Sequence, residues 1–362
     1  MKSKVFHIIT HFDMGGAERV AINIAKSKSV NFEYHLFEIV RANSEFSDKF
    51  IEECKANNIH YHRSNISSKK LAILFFPITF LLKCFKIRPN IIHTHTEIPD
   101  LSVFLFSKLA GLFMLKHKYV RTIHNTQLWN EWGKIGAIVE PFFIKKNSNV
   151  AISTSTKHSY KEQNKVEKLP IIFNGVEKSI QKIFPDIKNN KINILFAGRL
   201  EYQKGVAELI SVINALKNDN RFHFHIIGEG SLEVTLLNAT ESLKHVSKYD
   251  KIFNLSQYLE SFDYLFMPSN FEGLGLMCVE ANMNRLLCII NNCLGLKETL
   301  PNDWLLKVEN NSIEAYLNIF NEKIQNIDKE KMIDQASKFA NENFSLTQMQ
   351  EKYEALYIQK LK

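Results

Sequence analysis

The sequence predicts an α/β protein of two doubly wound domains facing a common cleft, and three observations carry that prediction. Short apolar runs alternate with helical stretches along the whole chain, the pattern of parallel strands joined by right-handed crossovers. The alternation breaks once, at the polar segment 178–191 with Pro185, and then begins again. At 362 residues the chain is also longer than one ordinary core accommodates. The domains are placed at 1–180 and 181–343, with a last helix, 344–362, returning to the first.

In the first half, a strand at 4–10 leads through the loop 11–16, ending in Gly15-Gly16, to a helix beginning near Ala17. A strand at 32–40, a helix at 44–57 and a strand at 59–62 follow. The next helix, 69–86, is very apolar and is stopped by Pro89. The strand at 90–95 delivers His93, Thr94, His95, Thr96 and Glu97 at its carboxyl end, before a second very apolar helix at 101–115. The strand 118–123 ends in His124 and Asn125, a helix spans 131–146, and 149–152 ends in Ser153. A strand at 169–173 and a turn at Asn174-Gly175 close this half.

The second half repeats the scheme. A strand at 192–197 runs into Gly198-Arg199-Leu200 and a helix at 205–216, and 222–227 runs into Gly228-Glu229-Gly230 and another helix. A short helix at 256–262, the strand 264–267, a helix at 276–284 and strands at 286–290 and 304–308 follow, then helices from Ser312, Lys329 and Ser345. In such sheets ligands bind outside the carboxyl ends of the strands, where His124, Ser153 and the Gly15 turn fall, and the cleft between domains is the default site.

The stretch 268–281, Pro-Ser-Asn-Phe-Glu-Gly-Leu-Gly-Leu-Met-Cys-Val-Glu-Ala, joins a strand to a helix. Gly273 and Gly275, flanking Leu274, permit a tight turn and bring bare amides to the first helical turn, which favours a diphosphate. From Gly275 to Glu280 the helix rises ~7.5 Å, about the reach from a diphosphate to an attached ribose. Glu272 and Glu280 thus suit the two ends of a nucleotide-sugar; a capped helix with two solvated glutamates fits the same residues. Arg199 follows one strand and Lys204 opens the next helix, so both can point at one anion. A guanidinium fork and a mobile ammonium suit a diphosphate leaving group, and two exposed cations in a surface turn are the plain alternative.

Other chemistries find less support. His11, His93, His95, His117 and His124 gather loosely, but none has H-E-x-x-H spacing, and His93 and His95 are expected on opposite faces of their strand, which counts against zinc. The chain has no Asp-x-Asp pair to clamp a catalytic magnesium or manganese, so no metal or other cofactor is expected. Rossmann-like domains also serve nicotinamide enzymes, yet G-x-G-x-x-G fails: Cys278 follows Gly273 and Gly275 where the third glycine belongs, and Glu233 follows Gly228 and Gly230. A P-loop is absent as well.

Composition narrows the partners. Hydrophobic residues make up 45% and charged residues 23%, as in a globular protein. The net charge of +8 admits nucleic acid, an anionic membrane or phosphorylated substrates, but spread lysines without an Arg-rich tract, zinc-finger spacing or ribonucleoprotein motif speak against nucleic acid. Five cysteines with no C-x-x-C pair suit a reducing cytosol. The apolar run 5–9 is too short for a signal sequence and 71–82 too short to span a bilayer, so a cytoplasmic protein is expected.

Taken together, Gly15-Gly16-Ala17-Glu18-Arg19, Asn174-Gly175-Val176, Gly198-Arg199-Leu200 with Lys204-Gly205, and Glu272 and Glu280 separated by seven residues resemble the family 4 retaining glycosyltransferases of GT-B fold. The resemblance covers nearly the whole chain in the right order. It implies that Glu280 binds the ribose hydroxyls and Glu272 the donor sugar, while Arg199 and Lys204 neutralise the departing diphosphate with help from the amides of Gly273, Leu274 and Gly275. Gly15 and Gly16 would approach the phosphates, and His124 matches the family histidine near sugar and acceptor. It further implies a metal-independent, hexosyltransferase-type reaction that keeps the donor's α configuration by front-face attack. Two departures stand out: Asn284-Arg285-Leu286-Leu287 replaces the usual Gly-x-Pro, and Ser247-Lys248-Tyr249 lacks a usual glycine. The base-reading region is therefore expected to differ, and a UDP-sugar is preferred over a GDP-sugar.

The expected acceptor is a glycan or lipid-linked saccharide in bacterial surface polysaccharide synthesis, such as capsule or O-antigen. A catalytically silent, sugar-nucleotide-binding partner subunit is the alternative. Lys69, Lys70, Lys83, Lys86, Arg88, Lys116 and Lys118 flank the two apolar helices, which suits an anionic membrane surface as a further partner and a peripheral position on its inner face; two core helices with snorkelling lysines are the other reading.

Overall fold

The computed structural model describes residues 2–13, 15–130 and 132–362. Met14, in the predicted loop 11–16, and Glu131, at the predicted helix start, lie outside them. The chain forms two compact units, one of residues up to Gly175 together with Leu346–Lys362, the other Val176–Ser345.

The described strands of the first unit are β1 (Ser3–Ile9), β2 (Phe32–Glu38), β3 (His60–His62), β4 (Ile91–His95), β5 (Lys118–Ile123) and β6 (Asn149–Ala151). They pair in parallel in the order β3-β2-β1-β4-β5-β6. Between them run α1 (Gly16–Ala25), α2 (Glu45–Ala56), α3 (Lys69–Ile87), α4 (Glu97–Leu112), α5 (Gly133–Lys145) and α6 (Thr154–Asn164). Local chemistry sets several boundaries. Ser44 caps α2 and Ser153 caps α6 by accepting from Ser47 N and Thr156 N. α3 ends where Arg88 turns left-handed before Pro89. α4 begins earlier than expected, because Pro99 sits in its first turn, where a missing N–H costs nothing. The strand expected at 169–173 is only an isolated bridge from Ile171 to Ala151, since Pro170 has no N–H to extend a ladder.

The second unit holds β7 (Ile192–Ala197), β8 (Phe222–Ile227), β9 (Val246–Tyr249), β10 (Tyr264–Met267), β11 (Leu287–Asn291) and β12 (Lys307–Val308), all parallel, in the order β12-β11-β10-β7-β8-β9. Its helices include α7 (Val206–Ala215), α8 (Glu233–Thr240), α9 (Leu276–Met283), α10 (Ile313–Asn318), the short α11 (Ile324–Asn326) and α12 (Lys329–Asn343). Its core joins Phe222, Phe224, Phe266 and Phe320 across the sheet. The segment 178–191, linker-like in composition, is laid onto this unit: Phe184 is buried in the core, its N–H donates to Ser261 Oγ, and Ser179 N donates to Asn284 Oδ1. The last helix, α13 (Leu346–Leu361), belongs to the first unit, where buried Tyr353 and Tyr357 reach Thr122 Oγ1 and His93 Nδ1, each at 2.7 Å.

Parallel strands covered on both faces are normally continuous apolar runs. In the first unit His7, His93, His95, Arg121 and Thr122 interrupt them while being buried. Arg121, 1% exposed, donates from Nε to Asp100 Oδ2 and from Nη1 and Nη2 to the two oxygens of Glu140, all at 2.7 Å. Thr94 completes Asp100, and Trp129 Nε1 and Tyr160 OH complete Glu140, at 2.6 Å each. One guanidinium thus ties β5 to α4, α5 and, through Tyr160, α6. Burial disfavours its charge, but the two carboxylates hold it protonated; burial also raises Asp100 to about 7 against the pull of Arg121. Arg121→Met leaves a buried carboxylate uncompensated and is expected to cost about 3–5 kcal/mol in urea unfolding.

Candidate functional site

The predicted residues fall into two groups, one in each unit. In the second unit the sheet reverses its strand order between β7 and β10, so the loops leaving those strands border one crevice. They are joined by bonds from Asn270 N to Gln203 O (2.8 Å), Asn270 Nδ2 to Tyr202 O (2.7 Å) and Gln203 Nε2 to Phe271 O (3.2 Å). Gly205, at φ +70, is required there: a Cβ would stand 1.8 Å from Pro268 O. This junction brings Lys204 Nζ to 2.6 Å from Glu272 Oε1, which also accepts from Ser269 Oγ at 2.9 Å. Glu272 is only 6% exposed, so the ion pair is largely withdrawn from water. Both donors meet Oε1, which leaves Oε2 as the carboxylate's second acceptor. Arg199 is exposed at the mouth of the β7 loop and donates to Gln203 Oε1 at 2.8 Å.

Gly273 and Leu274 lead to Gly275, which caps α9 without a side-chain bond, so the first-turn amides have no side-chain cap. Glu280 lies inside α9 and is partly exposed. Glu272, Arg199, Lys204 and the glycine turn are therefore gathered at one strand-order reversal, with Glu280 further along the helix that leaves it. Sequence reasoning missed the residues that brace this loop. Asn291 Nδ2 donates to Ser269 O (2.9 Å) and Asn311 Nδ2 to Pro268 O (3.0 Å), with Tyr316 OH holding Asn311 Oδ1 at 2.7 Å. Gly295 lets Glu272 N reach Leu294 O at 3.0 Å, because a Cβ there would stand 2.3 Å from Glu272 O. An asparagine ending the otherwise apolar strand β11 and another shortly after β12 were the available signal.

In the first unit the reversal lies between β1 and β4. Gly15 caps α1 in an extended conformation without a side-chain bond, and Gly16 is the first helical residue. Buried Glu38, also missed, shapes the approach to them by accepting from the N–H groups of Phe12, Ala42 and Ser64. Three imidazoles run across the sheet: His7 Nδ1 meets His95 Nε2 at 2.9 Å, and His95 Nδ1 meets His124 Nε2 at 3.2 Å. His93 and His95 do not point to opposite faces, as expected, but share one, their ring centroids 4.2 Å apart. The side-chain period of a strand is two, so residues two apart lie on the same side. His117 lies elsewhere, against Pro89 O.

His7, His93 and His95 have ligand atoms within 4.8 Å of one another. Both nitrogens of His93 are already taken, by Tyr357 OH and Thr122 Oγ1. Desolvation lowers His7 and His124 to about 3 and His93 and His95 well below their ordinary value, so the rings are neutral near pH 7. The five cysteines are buried free thiols.

Two family descriptions match the chain in tandem: "Glycosyltransferase Family 4" over residues 14–179 and "Glycosyl transferases group 1" over 177–339. The capsular polysaccharide biosynthesis glycosyltransferase CapH of Staphylococcus aureus is 24% identical over 301 residues, 80% of this chain and 81% of that protein. The UDP-Gal:alpha-D-GlcNAc-diphosphoundecaprenol alpha-1,3-galactosyltransferase of Escherichia coli is 23% identical, covering 99% of this chain and 97% of its own. Among solved structures, Anabaena HepE in complex with UDP and glucose superposes with a TM-score of 0.79 at 17% identity, over 99% of this chain and all of that one. A glycosyltransferase from Rickettsia africae gives 0.78 at 21%, over 100% and 99%.

The lowered histidines set a pH dependence. His7 binds a proton more readily unfolded than folded, so its contribution is complete above about pH 6.5 and is lost as pH falls toward its folded value of about 3. The slope is at most about 1.4 kcal/mol per pH unit. His7→Gln removes this term: its thermal midpoint, measured between pH 6.5 and 4.5, should fall less steeply than that of the wild type.

Proposed function

Because the chain belongs to the family 4 glycosyltransferases, the group 1 enzymes of GT-B fold, we propose that it moves a hexosyl group from a UDP-sugar to a glycan or lipid-linked saccharide in bacterial surface polysaccharide synthesis, with retention of configuration. The observation that carries this reading is the Lys204–Glu272 pair at the β7/β10 reversal, beside Arg199 and the amides opening α9. The relatives named above, one in capsule synthesis and one acting on a diphosphoundecaprenol-linked sugar, support the class of acceptor.

In this reaction Arg199 and Lys204 take up the charge of the departing UDP, and the amides of Gly273, Leu274 and Gly275 add to it. Lysine has three donors, so Lys204 can keep Glu272 while binding a phosphate oxygen. Glu272 orients the sugar hydroxyls through Oε2, and Glu280 holds the ribose. By the family resemblance Gly15 and Gly16 would approach the phosphates, and His124, neutral and with Nδ1 not engaged by His95, would serve the sugar. Rate comes from positioning and charge, and the reaction is proposed to need no metal. Arg199, Lys204, Glu272 and Glu280 are all present, which favours an enzyme over a silent binding subunit, and the departures at 247–249 and 284–287 concern the base-reading region. Glu272→Ala should abolish transfer while UDP still binds, and Glu280→Ala should weaken UDP binding, by product release and calorimetry; full activity in both would refute the assignment.

A membrane-resting acceptor side is proposed from α3. Its core face is Ala72, Phe76, Phe80 and Cys84, whereas Leu71, Leu74, Phe75, Ile78, Leu82 and Phe85 form an outward stripe, each 45–66% exposed. Leu112, Phe113 and Met114 extend it, with Phe85 and Phe113 in edge contact. Exposed Lys69, Lys70, Lys83, Lys86 and Arg88 border the stripe, as expected at an anionic leaflet. Among the described residues no helix is long and apolar enough to cross a membrane. Phosphatidylglycerol vesicles should sediment the wild type, and Leu74→Glu with Leu82→Glu should abolish that; equal sedimentation of both would overturn the proposal.

A further inference from the structure

A second cluster of titratable side chains lies at the amino ends of β2 and β3, the end of the sheet away from His124. Glu33 and His35 share a face of β2, and the register sets His60 beside His35, their rings stacked at 4.6 Å. Glu33 Oε1 stands 2.8 Å from His35 Nε2 and 3.6 Å from His60 Nε2, and one ligand atom from each residue falls within 4.8 Å of the others. Ligands about 2.0–2.1 Å from a tetrahedral zinc stand about 3.3 Å apart, a spacing these two distances bracket. His35 Nδ1 is met by His62 Nε2 at 3.1 Å, the kind of outer partner that fixes a metal-bound imidazole.

Access separates this cluster from the buried histidines of β1 and β4. The His60 side chain is 58% exposed and Glu33 34%, so an ion can enter and a water can complete its shell. The buried trio has no carboxylate, and His93 has no nitrogen to spare. Two imidazoles with a single carboxylate suit an imidazole-seeking metal rather than a hard cation such as magnesium, and Lys4 and Lys83, within electrostatic range of Glu33 and His62, weaken the site for any divalent ion.

We propose that Glu33, His35 and His60 bind one zinc-class divalent ion, with His62 as a positioning residue for His35. The ion would pin the three-residue edge strand β3 to β2, apart from the transfer reaction. The test uses untagged full-length protein, stripped with a chelator and titrated with cobalt(II). One equivalent should give the visible spectrum of a four-coordinate site and be displaced by zinc. His60→Ala and Glu33→Ala should abolish it, and His62→Ala should weaken binding about 10–100-fold. Because His60 is exposed, His60→Ala should melt like the metal-free wild type, and zinc should raise the midpoint of the wild type alone. No cobalt binding by the wild type, or an unchanged spectrum in His60→Ala, overturns the proposal.

Discussion

In a parallel sheet whose strand order reverses at its centre, the connections from the two middle strands leave in opposite directions, and their loops part over a crevice. Both units are built this way, and the candidate residues depend on it. In the second unit the reversal sets the β7 loop against the β10 loop, and the bonds of Asn270 to Gln203 and Tyr202 close the seam on which Lys204 meets Glu272. In the first it sets β1 beside β4, where His7 reaches His95 and Thr10 Oγ1 lies 3.2 Å from Thr96 Oγ1.

Two of the ionic groups withdrawn from water differ in how fully their partners close them. Around Arg121 the guanidinium is met by carboxylates on both edges, and the carboxylates by Thr94, Trp129 and Tyr160. A buried charge is tolerable only with such partners, and the result ties β5 to its neighbours three residues before His124. The Lys204–Glu272 pair is less closed. Its bonds converge on one carboxylate oxygen, and the ammonium keeps donor capacity.

What the sequence disclosed follows from how far apart cooperating residues lie in it. The glycine turn, the two glutamates and the Arg199–Lys204 pair are local patterns on single strand-loop-helix units, and the strand-helix alternation showed the units themselves. Asp100, Arg121 and Glu140 meet only because β4, β5, α4 and α5 are neighbours, and a lone arginine in an apolar strand was the one hint. That His93 and His95 share a face was legible in the two-residue period of a strand. α3 was ambiguous for a physical reason: it is apolar all round, and only the placement of Phe76 and Phe80 against the sheet tells the inward face from the outward one.

Under the proposed reaction, the same geometry explains why Glu272 serves better as a ligand than as a mobile group. Its backbone is bonded to Leu294, its Oε1 is engaged by Lys204 and Ser269, and its loop is held by Asn291 and Asn311. A carboxylate fixed at so many points can set the direction of a sugar hydroxyl with little loss of entropy on binding. The same bond holds the Lys204 ammonium before any phosphate arrives, so the positive charge is preorganised where the leaving group develops its negative charge. A front-face displacement needs that arrangement, since its barrier is lowered by stabilising the departing diphosphate and not by a protein nucleophile.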